Sequence, residues 1–367
     1  MKLNLKLESV KKALGVDDQH LIISGPCSAE SEEQVLTTCK ALAKSGKIHL
    51  LRGGVWKPRT RPNSFEGFGE EALKWMVKAK EETGLPIATE VANANHVELC
   101  LKYGVDLLWV GARTTVNPFS VQEIADALKG VDVPVLVKNP INPDLQLWIG
   151  AIERINQAGI TKLGALHRGF STTQPTPFRN APMWEMAIEL RRLIPEMEVF
   201  CDPSHIAGTR DIIPLISQKA IDLDMDGLMI ESHFQPQSAL SDAKQQIKPA
   251  AMEKLLGELI FRQAELSDDM IQDKLEGLRE QIDVIDENIM HEFASRMNVV
   301  DQIGEYKRDQ QVTILQMNRW SEILEDRVAG GKALGLSSQF VKSMLTLVHE
   351  ESIRRQNEIM NSDLAKA

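Results

Sequence analysis

FGEEALKWMVKAKEETGLPIATEV, residues 68–91, contains the two patterns that alternate through the first two-thirds of the chain. Its first part has the apolar spacing of an amphipathic helix, and Gly84 followed by Pro86 is a helix stop signal. Its second part, residues 86–91, is a short apolar run of the kind found in parallel strands that are buried on both faces. The stretch therefore predicts a helix followed by a buried strand.

Outward from this stretch, other apolar runs repeat the same scheme. The eight runs are His20–Cys27, Ile48–Trp56, Pro86–Val91, Leu107–Ala112, Pro134–Pro140, Lys162–Gly169, Glu198–His205 and Gly227–His233. Eight strand–helix units in about 250 residues predict an α/β fold, a (β/α)8 barrel of the TIM type. A doubly wound open sheet is the alternative, although such a sheet usually has fewer strands.

The pattern changes near Asp268. No proline follows Pro249, and through residues 271–310 apolar residues recur at the three- and four-residue spacing of a helix. We predict helices at 271–310, 317–328 and 339–360, with a turn at 330–338. A helix as long as the first cannot bury its apolar stripe alone, which implies a partner helix from the same or another subunit. The predicted domains are therefore a barrel at 1–264, a linker at 265–272 and a three-helix all-α domain at 273–367.

Composition limits the classes of function. The chain has 367 residues, 43% of them hydrophobic and 26% charged, and a net charge of −10. This acidity argues against a nucleic-acid partner. The four cysteines show no CxxC spacing, and neither a signal-peptide core nor an apolar run long enough for a membrane span is present. We expect a reduced, cytoplasmic protein without a membrane partner.

Reactive residues collect at the carboxyl ends of the predicted strands, where TIM barrels carry their active sites. They are Cys27, Arg52, Lys57, Glu90, Arg113, Lys138, His167, Arg168, Asp202, His205, Glu231 and His233. Five of them are lysines or arginines, although the protein as a whole is acidic. The convergence predicts a site for an anionic, phosphorylated ligand.

A metal site is the second prediction for this rim. Cys27, His205, Glu231 and Asp242 offer a thiolate, an imidazole and two carboxylates, a plausible open site for zinc, manganese or iron. Two other interpretations stay open. Cys27 could be a nucleophile with His205 as its base, or simply a buried small hydrophobe.

Nine motifs occur in order along the barrel. They are GPCS (25–28), LRGGVWKPRT (51–60), ATE (88–90), GART (111–114), VKN (137–139), HRG (167–169), DPSH (202–205), ESH (231–233) and LSDAKQQ (240–246). Over Leu21–Phe261 the chain resembles the type I 3-deoxy-D-arabino-heptulosonate 7-phosphate (DAHP) synthases, especially their shorter β-subgroup. The octulosonate-phosphate synthases share the barrel and GPC, but KPRT at 57–60 favours the heptulosonate family.

The resemblance implies a role for each matching residue. Metal ligands would be Cys27, His205, Glu231 and Asp242, with Mn2+ as the expected ion and Zn2+, Fe2+ or Co2+ as alternatives. Phosphoenolpyruvate would be held by Arg52, Lys57, Arg113, Lys138 and Arg168, and the phosphate of erythrose 4-phosphate by Arg59 and Thr60. Lys57, Glu90 and His205 would be catalytic, Lys57 as a proton donor and Glu90 in handling the attacking water. His167, also assigned to the substrate site, stands where many relatives carry Glu.

The helical region has its own row of cations. Arg279, Arg296 and Lys307 are seventeen and eleven residues apart, which places them near one helix face and predicts a dianion site. LREQIDVIDENIM (278–290) and IGEYK (303–307) resemble signatures of the all-α chorismate mutases.

That family implies an intertwined homodimer in which Arg279 reaches into the partner's site. The implied substrate-binding residues are Arg279, Arg296, Lys307, Arg319, Ser352 and Gln356, with Lys307 and Gln356 as the catalytic pair at the ether oxygen. Gln316 and Trp320 depart from the acidic residues that relatives often carry at these positions.

The sequence thus predicts a bifunctional enzyme of aromatic amino-acid biosynthesis. The barrel would make DAHP, the first step of the shikimate pathway, and the helical domain would rearrange chorismate to prephenate. We also expect prephenate or chorismate, bound near Arg279 and Lys307, to inhibit the barrel, because the two domains are fused. One alternative is a DAHP synthase whose helical domain is only a ligand-sensing dimerisation module. Another is a barrel that binds sugar phosphates without chemistry.

Overall fold

The computed structural model describes residues 3, 5–17, 20–57, 65–262, 269–315 and 317–361, and it gives no side-chain detail for residues 269–272, 317 and 318. Two compact units are present, Met1–Ala264 and Glu265–Ala367. Among the described helices, none combines the length and the apolar character that a membrane crossing requires.

The first unit is built around eight parallel strands that close into a barrel in chain order. The strands are β1 (Leu21–Gly25), β2 (Leu50–Arg52), β3 (Ile87–Val91), β4 (Leu107–Val110), β5 (Val135–Lys138), β6 (Leu163–His167), β7 (Glu198–Cys201) and β8 (Gly227–Glu231). Pairing of Leu21 with Gly227 joins β8 to β1 and completes the ring. Every strand lies inside one of the predicted apolar runs, and the predicted TIM barrel is confirmed.

Helices follow the strands around the barrel. They are α1 (Val10–Ala13), α2 (Glu32–Lys44), α3 (Glu70–Thr83), α4 (Ala94–Lys102), α5 (Ala112–Thr115), α6 (Pro118–Ala127), α7 (Leu145–Gln157), α8 (Trp184–Leu193), α9 (Pro203–Ala207), α10 (Ile213–Asp222) and α11 (Pro249–Glu258). The stop signal after α3 behaves as predicted, because Gly84 caps the helix in the left-handed region at φ 73°.

The strand side chains alternate between two buried layers. One layer fills the barrel interior and consists of Leu21, Ile23, Leu50, Ala88, Leu107, Trp109, Leu136, Leu166, Phe200 and Met229. The other layer, with Ile22, Leu51 and Leu108 among its members, packs beneath the surrounding helices. Burial on both faces explains why the strands appear in the sequence as continuous apolar runs.

The amino-terminal end of the barrel is covered by α1. Val10 is fully buried and joins the interior layer. Glu198, the first residue of β7, accepts hydrogen bonds through Oε2 from the backbone N–H groups of Val10 (2.7 Å) and Lys11 (3.2 Å). The carboxyl ends of the strands therefore form the open rim, as in other barrels of this type.

The described residues of the second unit form three helices, α12 (Asp269–Asp309), α13 (Met317–Ala333) and α14 (Ser338–Asn361). The start of α12 lies within the segment 265–272 that we predicted as a linker. The prediction of a turn at 330–338 was partly wrong, because α13 continues to Ala333. A Cβ at Gly331 would lie 2.5 Å from Val341 Cγ2, so this glycine allows close packing of α13 on α14. Gly335, at φ 83°, lies in the turn itself.

The apolar stripe of α12 stays exposed in the single chain. Met297 and Val300 are buried, but Leu278 is 50% exposed and Ile282 and Ile285 are each 55% exposed. Exposed apolar patches on proteins commonly mark interaction surfaces.

Candidate active sites

The rim of the barrel brings most of the predicted site residues together. Cys27 follows β1, Arg52 ends β2, Lys138 ends β5 and Glu231 ends β8. Gly25, just before this rim, has no room for a side chain, because a Cβ there would lie 1.9 Å from the backbone oxygen of Arg52. The GPCS motif thus lets β1 and β2 approach closely where the functional groups begin.

The four predicted metal ligands form one cluster. The donor atoms of Cys27, Glu231 and Asp242 all lie within 4.8 Å of one another. The Sγ of Cys27 is 3.6 Å from Asp242 Oδ2. His205 completes the set, since its Nε2 lies 3.9 Å from Glu231 Oε1 and 4.0 Å from Asp242 Oδ2. One thiol and two carboxylates thus lie close together, with one imidazole next to both carboxylates.

Neighbouring groups orient these ligands. The Oδ2 of Asp202 lies 2.8 Å from Nδ1 of His205 and accepts a hydrogen bond of 2.8 Å from Lys138 Nζ. A carboxylate on one imidazole nitrogen leaves the other nitrogen free to bind a metal, and this pairing is common behind metal-binding histidines. Gln245 Nε2 donates to Glu231 Oε2 at 2.7 Å. The support around the cluster thus resembles that of a metal centre.

The electrostatics of the cluster fit a bound cation. Burial raises the pKa of the Cys27 thiol to about 12, so the thiol needs an adjacent cation to become a thiolate ligand. Burial also acts to raise the pKa of Asp242, but His205 and Arg179 outweigh it and hold that pKa at about 2. Glu231 Oε1 is buried and has no hydrogen-bond partner among the described residues. These residues fit a divalent ion by their donor chemistry and by the free carboxylate oxygen of Glu231.

Buried cations surround the cluster. Arg52 is 1% exposed; its Nη2 donates to the backbone oxygen of Cys27 at 3.2 Å and lies 3.4 Å from Glu231 Oε1. Its Nε and Nη1 have no hydrogen-bond partner within the described part of the chain. Lys57 Nζ lies 3.2 Å from Cys27 Sγ. Two donors of a buried guanidinium are thus available to an anion.

Arg168 and Arg113 extend this positive surface. Arg168 Nη1 donates to Asn180 Oδ1 at 2.7 Å, and burial lowers the pKa of Arg168 to about 10. Arg113 follows β4 and is exposed. Arg179, which we did not single out in the sequence, lies 3.0 Å from Asp242 Oδ1. It lies in the long segment between β6 and α8, where the sequence shows no spacing that would indicate a site residue.

Trp109 contacts several groups of the site, although nothing in the sequence pointed to it. Its Nε1 donates to Glu90 Oε2 at 2.9 Å. The Arg52 guanidinium lies over the indole at 4.9 Å from the centroid, and Lys138 Nζ lies over it at 5.7 Å. In the sequence Trp109 is one member of an apolar strand run, and nothing there distinguishes it from a core residue.

His167 does not lie with these groups, contrary to its prediction as a substrate-binding residue. Its ring contacts Trp184 (centroids 5.2 Å apart), Phe170 (5.8 Å) and Trp148 (6.3 Å) in the layer beneath the helices. The physical reason is strand alternation, since the preceding residue, Leu166, faces the barrel interior. Arg59 and Thr60, the predicted contacts of the sugar phosphate, lie outside the described residues.

The helical unit brings a second group of predicted residues together. Arg296 Nη1 donates to Ser352 Oγ at 2.7 Å, and Lys307 Nζ donates to the backbone oxygen of Ile314 at 2.5 Å. Gln356 is 8% exposed, and its Oε1 has no hydrogen-bond partner among the residues described. A Cβ at Gly304 of the IGEYK motif would lie 3.3 Å from Gln356 Cγ, so this glycine admits the Gln356 side chain.

An aromatic pair lies next to these groups. The rings of Trp320 and His349 stack at 3.9 Å with an angle of 7° between their planes. Burial lowers the pKa of His349, and the charges of Arg296 and Lys307 lower it further. Trp320, one of the two departures noted in the sequence, therefore lies beside the predicted mutase residues. Gln316, the other departure, lies outside the described residues.

Two predicted mutase residues remain outside this group in the single chain. Arg279 is 61% exposed on its side chain and pairs with Glu276 at 3.1 Å on its own helix. Arg319 is 69% exposed and pairs with Glu322 at 3.3 Å. The chain by itself thus gathers Arg296, Ser352 and Gln356 but leaves these two cations at its surface.

Comparison with known proteins divides the chain in the same way. Residues 3–264 match the model of the DAHP synthetase I family, and residues 278–357 match the model of type II chorismate mutase. The chain is 31% identical over 238 residues to the phospho-2-dehydro-3-deoxyheptonate aldolase of Thermotoga maritima, across 65% of this chain and 68% of that protein. It is 26% identical over 273 residues to a 2-dehydro-3-deoxyphosphooctonate aldolase of Variovorax paradoxus, across 67% of this chain and 91% of that protein.

Solved structures agree with the sequence matches. The crystal structure of the Thermotoga maritima DAHP synthase superimposes with a TM-score of 0.60 at 30% identity, over 66% of this chain and 68% of that one. A truncated form of 3-deoxy-D-arabino-heptulosonate 7-phosphate synthase from Thermotoga maritima gives 0.57 at 27% identity, over 66% and 86%.

Proposed function

Because the chain belongs to the DAHP synthetase I family, we propose that its barrel condenses phosphoenolpyruvate with erythrose 4-phosphate to form DAHP and inorganic phosphate. The observation that carries this proposal is the buried guanidinium of Arg52, whose Nε and Nη1 lack acceptors among the described residues. Leaving donors of a buried cation unsatisfied is costly, so the site favours an anion that accepts from them. Phosphoenolpyruvate offers both a phosphate and a carboxylate for this purpose.

A divalent cation would be held by Cys27, His205, Glu231 and Asp242. Mixed sulfur, nitrogen and oxygen donors suit Mn2+, our first expectation, and also Zn2+, Fe2+ or Co2+. When bound, such an ion polarises the aldehyde carbonyl of erythrose 4-phosphate as a Lewis acid.

The cations of the rim would hold phosphoenolpyruvate. Arg52 and Lys138 approach from β2 and β5, and charge is added by Arg113 from α5 and by Arg168 from the segment that follows β6. Bidentate arginine contacts fix the orientation of phosphate and carboxylate groups, which places C3 toward the aldehyde.

Proton transfers fall to Lys57 and Glu90. As C3 of phosphoenolpyruvate bonds to the aldehyde carbon, Lys57 Nζ donates a proton to the aldehyde oxygen. Water then adds at C2 while Glu90 accepts its proton. The C2–O bond to phosphate then breaks as the new C2 hydroxyl becomes the ketone, and inorganic phosphate leaves with that oxygen and with the proton of the hydroxyl. Lys57 suits its role because its Nζ lies 3.2 Å from Cys27 Sγ, beside the ligand cluster.

The direct test is DAHP formation by the full-length protein supplied with a divalent metal. We expect Arg52→Met to lower the rate by roughly a thousandfold, since it removes the charge and the free donors that would hold the anionic substrate. Arg192→Met, which removes an arginine that is 67% exposed and pairs with Glu189 on its own helix, should leave the rate unchanged. A wild-type protein that forms no DAHP with any of the four metals would refute the proposal.

Substrate choice is tested separately, because the relatives include octulosonate-phosphate enzymes. Their product has one carbon more, so their aldehyde substrate is a five-carbon sugar phosphate. The KPRT motif leads us to expect that erythrose 4-phosphate exceeds arabinose 5-phosphate by at least about a hundredfold in kcat/KM. Equal values would contradict this preference, and a higher value for arabinose 5-phosphate would assign the octulosonate reaction to the barrel.

For the helical domain, proposed as residues 273–367 after a linker at 265–272, we propose the rearrangement of chorismate to prephenate. This unimolecular reaction needs a compact substrate conformer and positive charge at the breaking ether oxygen. Arg296 would bind a carboxylate, and Lys307 with Gln356 would face the ether oxygen. Loss of chorismate should be measurable in the wild type and fall at least about a hundredfold in Arg296→Ala. Arg327→Ala, at an exposed position on α13, is the control.

Assembly would complete the mutase site. We propose a homodimer through the exposed apolar stripe of α12, with Arg279 of each chain reaching the partner's site. The alternative, a ligand-sensing dimerisation module without useful catalysis, predicts chorismate binding without a rate above that of Arg296→Ala.

Feedback inhibition is the remaining part of the proposal. We expect prephenate to inhibit DAHP formation, because a domain that produces prephenate is fused to the enzyme of an early step. The inhibition should disappear in Arg296→Ala, while the uninhibited DAHP rate stays the same. DAHP formation that is indifferent to prephenate would remove this part of the proposal.

A further inference from the structure

Three groups of the barrel site meet on the indole of Trp109. Glu90 of β3 accepts a hydrogen bond of 2.9 Å from its Nε1. Arg52 of β2 lies over the ring at 4.9 Å, and Lys138 of β5 lies over it at 5.7 Å. Trp109 belongs to β4, which lies between β3 and β5 in the barrel. One buried side chain thus contacts a carboxylate and two cations from three different strands.

Trp109 also belongs to the hydrophobic layer inside the barrel, and filling that space would be a sufficient role for a leucine or phenylalanine. Two observations go beyond space filling. The N–H of the fully buried indole is directed at a carboxylate of the site and not at a backbone carbonyl. Both cations also lie within the distance at which the negative face of an indole attracts a positive charge.

This attraction matters most for Arg52, whose Nε and Nη1 have no hydrogen-bond partner among the described residues. Lys138 is paired with Asp202 at 2.8 Å, whereas Arg52 has only one nitrogen near Glu231, at 3.4 Å. A ring beneath the two charges reduces the cost of holding them close together before an anion arrives. It also restricts how each side chain can turn, which lowers the entropy lost on binding.

We propose that Trp109 is a positioning residue for the condensation, which sets Arg52 and Lys138 for the anionic substrate through its ring and sets Glu90 for the water through its N–H. The proposal rests on the function proposed above for the barrel. The two contacts have different consequences. Loss of the ring impairs substrate binding, whereas loss of the N–H impairs a chemical step.

Two variants separate these contacts. Trp109→Phe keeps an aromatic face and removes the N–H, so kcat should fall about tenfold while KM for phosphoenolpyruvate stays within about threefold of the wild type. Trp109→Leu removes both contacts, so KM should also rise about tenfold. A residue that only fills space would give no such division between kcat and KM.

Trp148→Phe is the matched control. Trp148 is also fully buried, and its Nε1 donates to the backbone oxygen of Val137 at 3.0 Å. The same substitution there removes a comparable hydrogen bond in the layer beneath the helices. We expect it to lower the melting temperature about as much as Trp109→Phe while leaving kcat and KM at their wild-type values.

The experiment measures DAHP kinetics, melting temperature and calorimetric binding of phosphoenolpyruvate for the full-length wild type and the three variants. Wild-type kinetic constants in Trp109→Phe and Trp109→Leu, or the same kinetic loss in Trp148→Phe, overturn the proposal. If Trp109→Leu does not fold, the kcat of Trp109→Phe decides. If the wild type forms no DAHP, the proposed function fails. Calorimetry then decides the role of Trp109: weaker binding of phosphoenolpyruvate by Trp109→Leu than by Trp148→Phe supports it, and equal binding overturns it.

Discussion

The barrel mouth and the helical unit hold their cations in different ways. At the barrel mouth, Arg52 and Lys138 are buried and each lies next to a carboxylate from another strand. In the helical unit, Arg296 is bound to a hydroxyl and Arg279 lies at the surface. A closed barrel brings residues from distant parts of one chain to one rim, so a single copy assembles the site. Three helices leave faces uncovered, so we expect the proposed helical site to depend more on assembly.

The largest effect should come from removing a ligand of the proposed metal. Cys27→Ala takes the sulfur donor from the cluster and should reduce DAHP formation by roughly a thousandfold. Chorismate loss by the same sample should stay at the wild-type rate, because the helical site uses none of these groups. Cys39→Ala, at another buried cysteine without a hydrogen-bonding role in the site, is the control. Equal loss in both reactions would contradict the independence of the two sites.

The next effect tests whether the helical site needs a second chain. Ile285→Glu places a charge on the exposed stripe of α12 and should convert the protein to monomers, as measured by light scattering. Chorismate loss should then fall by about a hundredfold, since removal of a single charged donor commonly has this effect. Ala294→Glu adds the same charge to an exposed position about two and a half turns away, on the opposite side of the helix, and should keep both dimer and rate. A monomer with full mutase activity would show that one chain completes the site.

Acid should destabilise the barrel through His167. Burial lowers the pKa of His167 to about 4, so its proton is bound more tightly in the unfolded chain. The contribution of neutral His167 to the free energy of unfolding is complete above the unfolded pKa of about 6.5. As the pH falls from there toward 4, the free energy of unfolding decreases by roughly 3 kcal/mol. His167→Phe should flatten the fall in the free energy of unfolding across this window and leave KM for phosphoenolpyruvate unchanged. A changed KM would indicate that His167 contributes to the substrate site.

The smallest effect concerns the space around Glu90. A Cβ at Gly111 would lie 2.2 Å from Glu90 Oε1, so Gly111→Ala should displace that carboxylate and lower kcat about tenfold. Gly150→Ala is the control, because no atom lies within 4 Å of a Cβ there. The control should keep kcat and gain about 0.5–1 kcal/mol of stability from better helix propensity. An unchanged kcat in Gly111→Ala would mean that the position of Glu90 is not critical.

The sequence predicted the barrel and its rim well because the two signals are local. Each strand is a short apolar run, and most of the predicted rim residues stand at or just after the end of a run, so counting along the chain finds them. Cys27, His205, Glu231 and Asp242 are far apart in sequence but meet because parallel strands end at one rim.

What the sequence could not give is the direction of a side chain within a run that is buried on both faces. His167 and Trp109 both stand in such runs, and the apolar pattern is the same on either face. The structure places His167 among aromatic rings beneath the helices and Trp109 inside the barrel. In the helical region, Gly331 was predicted to lie in a turn. In the structure it belongs to α13 and allows this helix to approach Val341 of α14 closely. That contact depends on tertiary packing and has no local signature.

One measurement tests the central claim that this chain carries two separate active sites, only one of which needs a metal for its reaction. A single preparation of the full-length protein is treated with a chelator, and DAHP formation and chorismate loss are followed before treatment, after it, and after Mn2+ is restored. We predict that DAHP formation disappears and then returns, while chorismate loss continues unchanged throughout. DAHP formation that persists after complete removal of metal, or chorismate loss that disappears with it, would contradict the account.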